Sequence, residues 1–273
     1  MGTLLQEKGL APGELPETWN LTHSEEIYKI HRQYIEAGSD IILTNTFGAN
    51  ALKFHDDSCS LEEIIKAAVS HVKKAEREAL LQTGDERKIY TALDVGPTGK
   101  LLKPMGDLEF ETAYEAFKEV VILGEQAGAD LIHIETMSDT YELKAAVLAA
   151  KENTSLPVFA TVIFDERKKL LTGADVSSVV ALLEGLGVDA LGINCAMGPK
   201  EMLPVLEELI KYSSVPIIVK PNAGLPKQRD GKTYYDVTED EFSRHIWSKY
   251  VRMGRCVIGG CCGTTPERYP CHA

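Results

Sequence analysis

The sequence has little that would let it cross a membrane or bind a polyanion. Among its 273 residues, no apolar run approaches the ~18 consecutive residues that a membrane-spanning helix needs. Lysine and arginine number 29 against 41 aspartates and glutamates, so the formal net charge is −12. Because an acidic surface repels phosphate groups, we expect neither nucleic acid nor a membrane as a partner. The N-terminus also lacks the basic and apolar regions of a secretory signal, which predicts a cytoplasmic protein.

Cysteine is scarce as well. Six cysteines in a chain of this length are too few for a disulfide scaffold, so clustered cysteines are better explained by metal binding or catalysis. The composition is otherwise ordinary, with 44% hydrophobic and 26% charged residues. These proportions exclude a disordered or collagen-like chain and supply enough apolar surface for a large core.

Apolar, β-branched segments alternate with amphipathic ones along the whole chain. The apolar segments predict seven strands, at 40–45, 89–94, 131–135, 158–163, 190–194, 217–220 and 256–259. The amphipathic segments predict helices near 24–37, 61–82, 109–127, 140–152, 175–186, 199–212 and 238–253. Capping-box spacing marks two helix starts, Thr22 with Glu25 and Ser60 with Glu63. The repeated strand–helix unit, without a linker, predicts one domain over residues 1–273.

This alternation fits either a barrel or a doubly wound sheet. A Gly-x-Gly-x-x-Gly motif does not follow an early strand, which disfavours a dinucleotide-binding sheet. Polar candidate residues fall where predicted strands end, and in a barrel these ends share the face that carries the active site. We therefore predict an α/β fold of the (β/α)8 TIM-barrel type. Since only seven strands are predicted, we expect this chain to lack the first strand and the last helix.

Three cysteines form the main candidate site. Cys261 and Cys262 are adjacent within Gly-Gly-Cys-Cys-Gly-Thr-Thr-Pro, and Cys195 ends another predicted strand. Adjacent cysteines rarely bridge each other, and the flanking glycines allow both side chains to approach one point. Three thiolates suit zinc and leave its fourth position open for a substrate thiol. The alternative is that these cysteines are small buried apolar residues.

Several motifs together resemble those of the homocysteine S-methyltransferase family. The resemblance covers essentially the whole chain and rests on Thr44–Asn50, Ile134–Met137, Gly-Ile-Asn-Cys ending at Cys195, Asn222-Ala-Gly-Leu-Pro, and Gly-Gly-Cys-Cys-Gly-Thr-Thr-Pro-Glu from Gly259. Within the family, Trp19–His23 and Gly96–Leu102 look like the homocysteine-binding module of cobalamin-dependent methionine synthases. The resemblance implies a barrel in which Cys195, Cys261 and Cys262 hold zinc and homocysteine sulfur supplies the fourth ligand.

The resemblance also implies a reaction, the transfer of a methyl group to the homocysteine thiol to give methionine. Glu135 matches the family glutamate near the homocysteine amino group. Methylcobalamin is the expected methyl donor, carried on a separate module or protein. The expected partners are therefore homocysteine, a corrinoid protein and a methyltetrahydrofolate-binding module.

Two other functions stay open at this point. In one alternative, the chain catalyses the same reaction with S-methylmethionine or betaine as the methyl donor. In the other, the chain binds zinc or thiols without catalysis, because only Met1-Gly2-Thr3 remains of the family's initial Asp-Gly-Ala-Met-Gly-Thr. Further candidate substrate-binding residues are Asn45, Asn194, Asn222 and Asp94. The asparagines could equally order loops through hydrogen bonds, and Asp94 either orients the donor side or caps the next turn.

Overall fold

The computed structural model describes residues 1–54, 59–84, 86–229, 232–254 and 256–268. Its α-helices in these ranges are α1 (Gly2–Glu7), α2 (Trp19–Thr22), α3 (Ser24–Glu36), α4 (Leu61–Thr83), α5 (Phe110–Ala127), α6 (Thr140–Asn153), α7 (Val176–Gly185), α8 (Pro199–Tyr212) and α9 (Glu239–His245). Its strands there are β1 (Ile41–Leu43), β2 (Tyr90–Val95), β3 (Leu131–Met137), β4 (Val158–Val162), β5 (Ala190–Asn194), β6 (Ile217–Lys220), β7 (Lys227–Arg229), β8 (Lys232–Tyr234) and β9 (Cys256–Ile258).

The main sheet has seven strands in chain order, β1-β2-β3-β4-β5-β6-β9. Strands β1, β2 and β3 pair in parallel, and so do β4, β5, β6 and β9. A helix follows most of these strands, which confirms the predicted α/β fold of the barrel type. Residues 1–40, before β1, form helices and turns. After β9, the described residues form one 3-10 turn, Pro266–Arg268. Both features agree with a barrel that has seven of its strands in this chain.

The chain divides into two units, the first made of residues 1–134 with 141–158. One apolar cluster in this unit joins α3, β1, α4 and the residue before β2, and includes Ile35, Ile42, Val72 and Ile89. A second cluster packs α1 and α2 against α3. The predicted helices α3 and α4 each bury an apolar face in these clusters. The prediction of a single domain remains a prediction.

Local signals at helix ends are partly confirmed. Ser60 and Glu63 form the predicted capping box at the start of α4. The predicted cap by Thr22 is wrong, because His23 is the N-cap residue of α3 and the Thr22 hydroxyl donates instead to the carbonyl of Thr18, the N-cap residue of α2. Gly38, Gly128 and Gly187 adopt φ values of 96°, 94° and 74°, the left-handed conformation that ends a helix before the next strand.

The second unit contains residues 135–140 and 159–268 of the described chain. Between β6 and α9, the described residues include an antiparallel pair, β7 with β8. The single helix predicted over 238–253 is α9 followed by a π-helical turn, Ile246–Val251. Among the described residues, no helix is both long enough and apolar enough to span a membrane.

Candidate metal centre and substrate site

Three cysteines of the second unit come together where two strands end. Cys195 directly follows β5, and Cys261 and Cys262 follow β9 after two glycines. Their sulfur atoms all lie within 4.8 Å of one another. The Sγ atoms of Cys195 and Cys262 are 3.8 Å apart. Three thiols thus converge from two places in the sequence that are 67 positions apart.

Backbone hydrogen bonds to the end of β6 position two of the cysteines. The N–H of Cys195 donates to the carbonyl of Lys220 over 3.0 Å, and the N–H of Cys261 donates to the carbonyl of Pro221 over 2.9 Å. These bonds continue the parallel pairing beyond the regular strands. The positions of both cysteines are therefore fixed by the sheet.

Cys262 is held by the residues that follow. Its N–H donates to Oδ1 of Asn222 over 3.1 Å, and its carbonyl accepts from the N–H of Ala223 over 2.9 Å. Gly263 then turns the chain at φ 75°, and Tyr235 packs so closely that a Cβ at Gly263 would lie 2.2 Å from its ring. A glycine is required here for both reasons.

The backbone is strained at the same place. Thr136, Cys195 and Ala196 have φ values of 65°, 58° and 60°, although none of them is glycine. This left-handed conformation is costly for residues with a Cβ, above all for a β-branched one. Strain of this kind persists where surrounding contacts impose it, and it is concentrated at functional sites.

Asn194 supplies several of these contacts. Its Oδ1 accepts from the N–H of Thr136 over 2.9 Å and from the hydroxyl of Thr161 over 2.8 Å. Its Nδ2 donates to Oγ1 of Thr136 over 2.7 Å and approaches the sulfur of Cys261 at 3.8 Å. The buried amide thereby connects β3, β4 and β5 to the cysteine cluster. Sequence reasoning singled out Asn194 but missed both threonines, which carry no signal apart from their positions in or at the end of buried strands.

The thiols share their protons unequally. Hydrogen bonds from Cys195 and Cys261 to the sulfur of Cys262 lower the pKa of Cys262. The same sharing and burial raise the pKa of Cys261. Tyr235 also donates to Cys262, while burial and the neighbouring thiols raise the pKa of its own phenol. The pKa of Cys262 is thus lowered, while those of Cys195 and Cys261 are raised.

This cluster fits a tetrahedral zinc ion. Zinc binds thiolate sulfur at about 2.3 Å, so two sulfurs that share a tetrahedral zinc lie about 3.8 Å apart. The observed distance between Cys195 and Cys262 has this value. Soft sulfur donors favour zinc over magnesium or calcium, and three protein ligands leave one position for a substrate.

A buried ion pair lies in the same unit. Lys220, at the end of β6, donates through its ammonium to the carboxylate of Glu135 in β3, and only 8% and 7% of these residues are exposed. Glu135 also raises the pKa of Cys261 through its charge. Sequence reasoning selected Glu135 and missed Lys220. The available signal was a charged residue at the end of an otherwise apolar strand, directly before Pro221-Asn222.

The two remaining candidates belong to the first unit. The side-chain amide of Asn20 donates to the backbone carbonyl of Asn45. The side-chain amide of Asn45 donates to Oδ1 of Asn20 and to the carbonyl of Pro16, the latter over 2.7 Å. The Asp94 backbone accepts from Thr46 and donates to Thr44. These contacts show Asn45 ordering a loop. Substrate contact by either residue stays a prediction.

Comparison with known proteins identifies the family. The family model described as homocysteine S-methyltransferase matches residues 1–268. The chain belongs to the homocysteine S-methyltransferase family. The chain is 34% identical over 278 residues to methionine synthase of Mycobacterium leprae (strain TN), with 98% of the chain matched. It is 34% identical over 277 residues to methionine synthase of Mycobacterium tuberculosis (strain ATCC 25618 / H37Rv). The chain spans 23% of the length of each.

Solved structures show the same fold. The homocysteine methyltransferase MmuM from Escherichia coli, in its metallated form, matches this chain with a TM-score of 0.83 at 23% identity. The match covers 98% of this chain and 91% of that one. The apo form of the same protein gives a TM-score of 0.78 over 98% of this chain and 90% of that chain, at 24% identity.

Proposed function

We propose that this chain binds homocysteine and carries out methyl transfer to its thiol, giving methionine, as the homocysteine module of a methionine synthase. The observation that carries the proposal is the convergence of three thiols, with one sulfur–sulfur distance equal to that across a tetrahedral zinc site. Membership of the homocysteine S-methyltransferase family supports the same substrate.

Cys195, Cys261 and Cys262 would hold the zinc. When bound, zinc lowers the pKa of a thiol at its open position and keeps the sulfur nucleophilic. Asn222 and Asn194 orient the cysteines through the hydrogen bonds described above. Glu135 supplies a buried carboxylate for the substrate ammonium.

The reaction needs no nucleophile from the protein. The homocysteine sulfur forms a bond to the methyl carbon, and the donor keeps the electron pair of the bond that breaks. The thiol proton leaves to solvent. The contribution of this chain is to position the sulfur for in-line displacement and to hold the amino-acid head in one orientation.

We propose methylcobalamin as the donor, carried outside this chain. The methionine synthase relatives are about four times as long as the matched region, which leaves room in them for other modules. The partners would be a corrinoid protein and a module that binds methyltetrahydrofolate. S-methylmethionine and betaine are the competing donors.

The test begins with zinc content. We expect about one zinc per reduced wild-type chain, and loss of zinc in Cys195→Ser and Cys262→Ser. Cys256→Ser is the matched control, because its sulfur contacts the carbonyl of Gly254 and does not belong to the cluster. Absence of zinc from folded wild-type protein would overturn the proposal.

Calorimetric titration with homocysteine and parallel assays with the three donors follow on the same samples. Methionine formation with methylcobalamin supports the proposed donor. Formation with free S-methylmethionine or betaine alone would replace it. Bound zinc without homocysteine binding would favour the non-catalytic alternative.

A further inference from the structure

A contribution to stability does not by itself explain the buried ion pair between Lys220 and Glu135. Both side chains are about nine-tenths buried. Transferring two charges from water into a protein interior costs several kcal/mol for each ion, and apolar residues of equal volume are often at least as stable. A buried pair of this kind is therefore better explained by a ligand that needs both charges.

The pair lies beside the cysteine cluster. The carbonyl of Lys220 accepts the hydrogen bond from the N–H of Cys195, so the backbone of Lys220 lies next to the cluster. Its side chain then runs across Gly259, where an added Cβ would lie 3.0 Å from the lysine Cγ and 3.2 Å from Cδ. Glu135, at its far end, acts electrostatically on Cys261. One ammonium and one carboxylate thus lie together next to the cysteine cluster.

Opposite charges side by side match the zwitterionic head of an α-amino acid. An ammonium has three donors and a carboxylate has about four acceptor positions, so each can keep its internal partner while binding a ligand group. We propose that Lys220 binds the carboxylate of the substrate, beside the Glu135 carboxylate already assigned to the substrate ammonium. This inference rests on the proposed function, since it takes homocysteine as the ligand. Glu135 holds the lysine ammonium in place before the substrate arrives.

A cycle of protein and ligand truncations tests this contact. Zinc-loaded wild type and Lys220→Met are titrated with homocysteine and with homocysteamine, which lacks only the carboxylate. We expect Lys220→Met to weaken homocysteine binding about tenfold or more, as loss of a charge-assisted hydrogen bond does. Homocysteamine binding should change little. Lys220→Arg, which keeps the charge, should retain much of the preference for homocysteine.

Two further variants keep the test decisive. Lys220→Met leaves Glu135 buried without its counter-ion, which disfavours folding of this variant. The double variant Lys220→Met with Glu135→Gln removes both charges and takes the place of the single variant if that one does not fold. The double variant should bind the two thiols with similar affinity. Lys73→Met is the matched control, because it breaks the partly exposed ion pair with Asp130 in the first unit. It should leave both affinities unchanged.

The outcomes separate this inference from the proposed function. Equal weakening of both thiols in Lys220→Met would show that Lys220 does not bind the carboxylate, and would overturn the inference alone. Failure of the zinc-loaded wild type to bind homocysteine would overturn the proposed function and this inference with it. A loss confined to homocysteine, with unchanged zinc content, supports the inference.

Discussion

The backbone N–H of Cys262 donates a hydrogen bond to the side-chain oxygen of Asn222, 40 positions earlier in the chain. This bond fixes one member of the cysteine pair against the end of β6. Asn222 also donates its own N–H to the carbonyl of Met197, two residues after Cys195. Asn222 therefore links the segment that carries Cys262 to the segment that carries Cys195.

Loss of this contact should weaken metal binding. We expect Asn222→Ala to lower zinc affinity by roughly tenfold, as removal of residues that orient metal ligands does. Competition with a chromophoric chelator measures the change. Asn222→Asp keeps an acceptor for the Cys262 N–H and should lose less. An affinity in Asn222→Ala equal to that of the wild type would show that the cysteines are positioned without this bond.

Close approach of two strands makes Gly192 irreplaceable. A Cβ at Gly192 in β5 would lie 1.8 Å from the carbonyl oxygen of Ile218 in β6. Because the obstacle is backbone, the strands must separate, and we expect Gly192→Ala to lower the free energy of unfolding by about 3 kcal/mol or more. Urea denaturation measures this.

Gly185→Ala is the control for that experiment. It lies in α7, and nothing within 4 Å would meet its Cβ. Alanine favours helix over glycine by roughly 0.5–1 kcal/mol, so this variant should be unchanged or slightly more stable. A similar loss in both variants would mean that the strand contact is not the cause.

The capping box at α4 predicts a smaller effect. Ser60→Ala removes the side-chain acceptor for the N–H of Glu63 and should lower the free energy of unfolding by about 1 kcal/mol. Thr22→Ala removes a hydroxyl that caps no helix and should change it by less than about 0.5 kcal/mol. A larger loss in Thr22→Ala than in Ser60→Ala would contradict this assignment of caps.

Burial of Glu17 predicts a dependence of stability on pH. Its carboxylate accepts from the N–H of Gly48 over 2.5 Å, and burial raises its pKa despite the nearby Lys53. A carboxyl whose pKa is raised on folding favours the folded chain below its unfolded pKa, near 4.5, and loses that contribution as pH rises. Glu17→Gln should therefore melt above the wild type at neutral pH, and the difference should shrink toward pH 4. A difference independent of pH would exclude ionisation of Glu17 as its cause.

Much of the fold and the cysteine site follows from local sequence patterns. The alternation of apolar and amphipathic segments is local, so the seven strands of the main sheet and the helices α3 to α8 were predictable within a few residues. The short elements α1, α2, β7 and β8 were not predicted. The parallel arrangement then brings strand ends such as Cys195 and Cys262 to one place. Pairs that depend on three-dimensional contact were not predictable. Lys220 and Glu135 are 85 positions apart, and neither segment carries a sign of the other.

Local signals also fail where two elements compete for one residue. Thr22 has the right spacing to cap α3, but it already belongs to α2, whose backbone takes its hydroxyl. For Asn45 the sequence likewise did not indicate the hydrogen bond that its amide donates to Asn20, while contact of Asn45 with substrate stays a prediction.

The residues with left-handed backbone conformation at the cysteine cluster lower the stability of the folded chain. Thr136, Cys195 and Ala196 each give up roughly 1 kcal/mol or more by holding this conformation. Proteins are stable by only about 5–15 kcal/mol, so these residues consume a noticeable share of the margin. Glycine or asparagine at these positions would relieve the strain while keeping the backbone conformation. At Cys195, the same replacement would remove one of the three thiols, so a more heat-resistant descendant of this chain would gain stability there at the expense of its cluster.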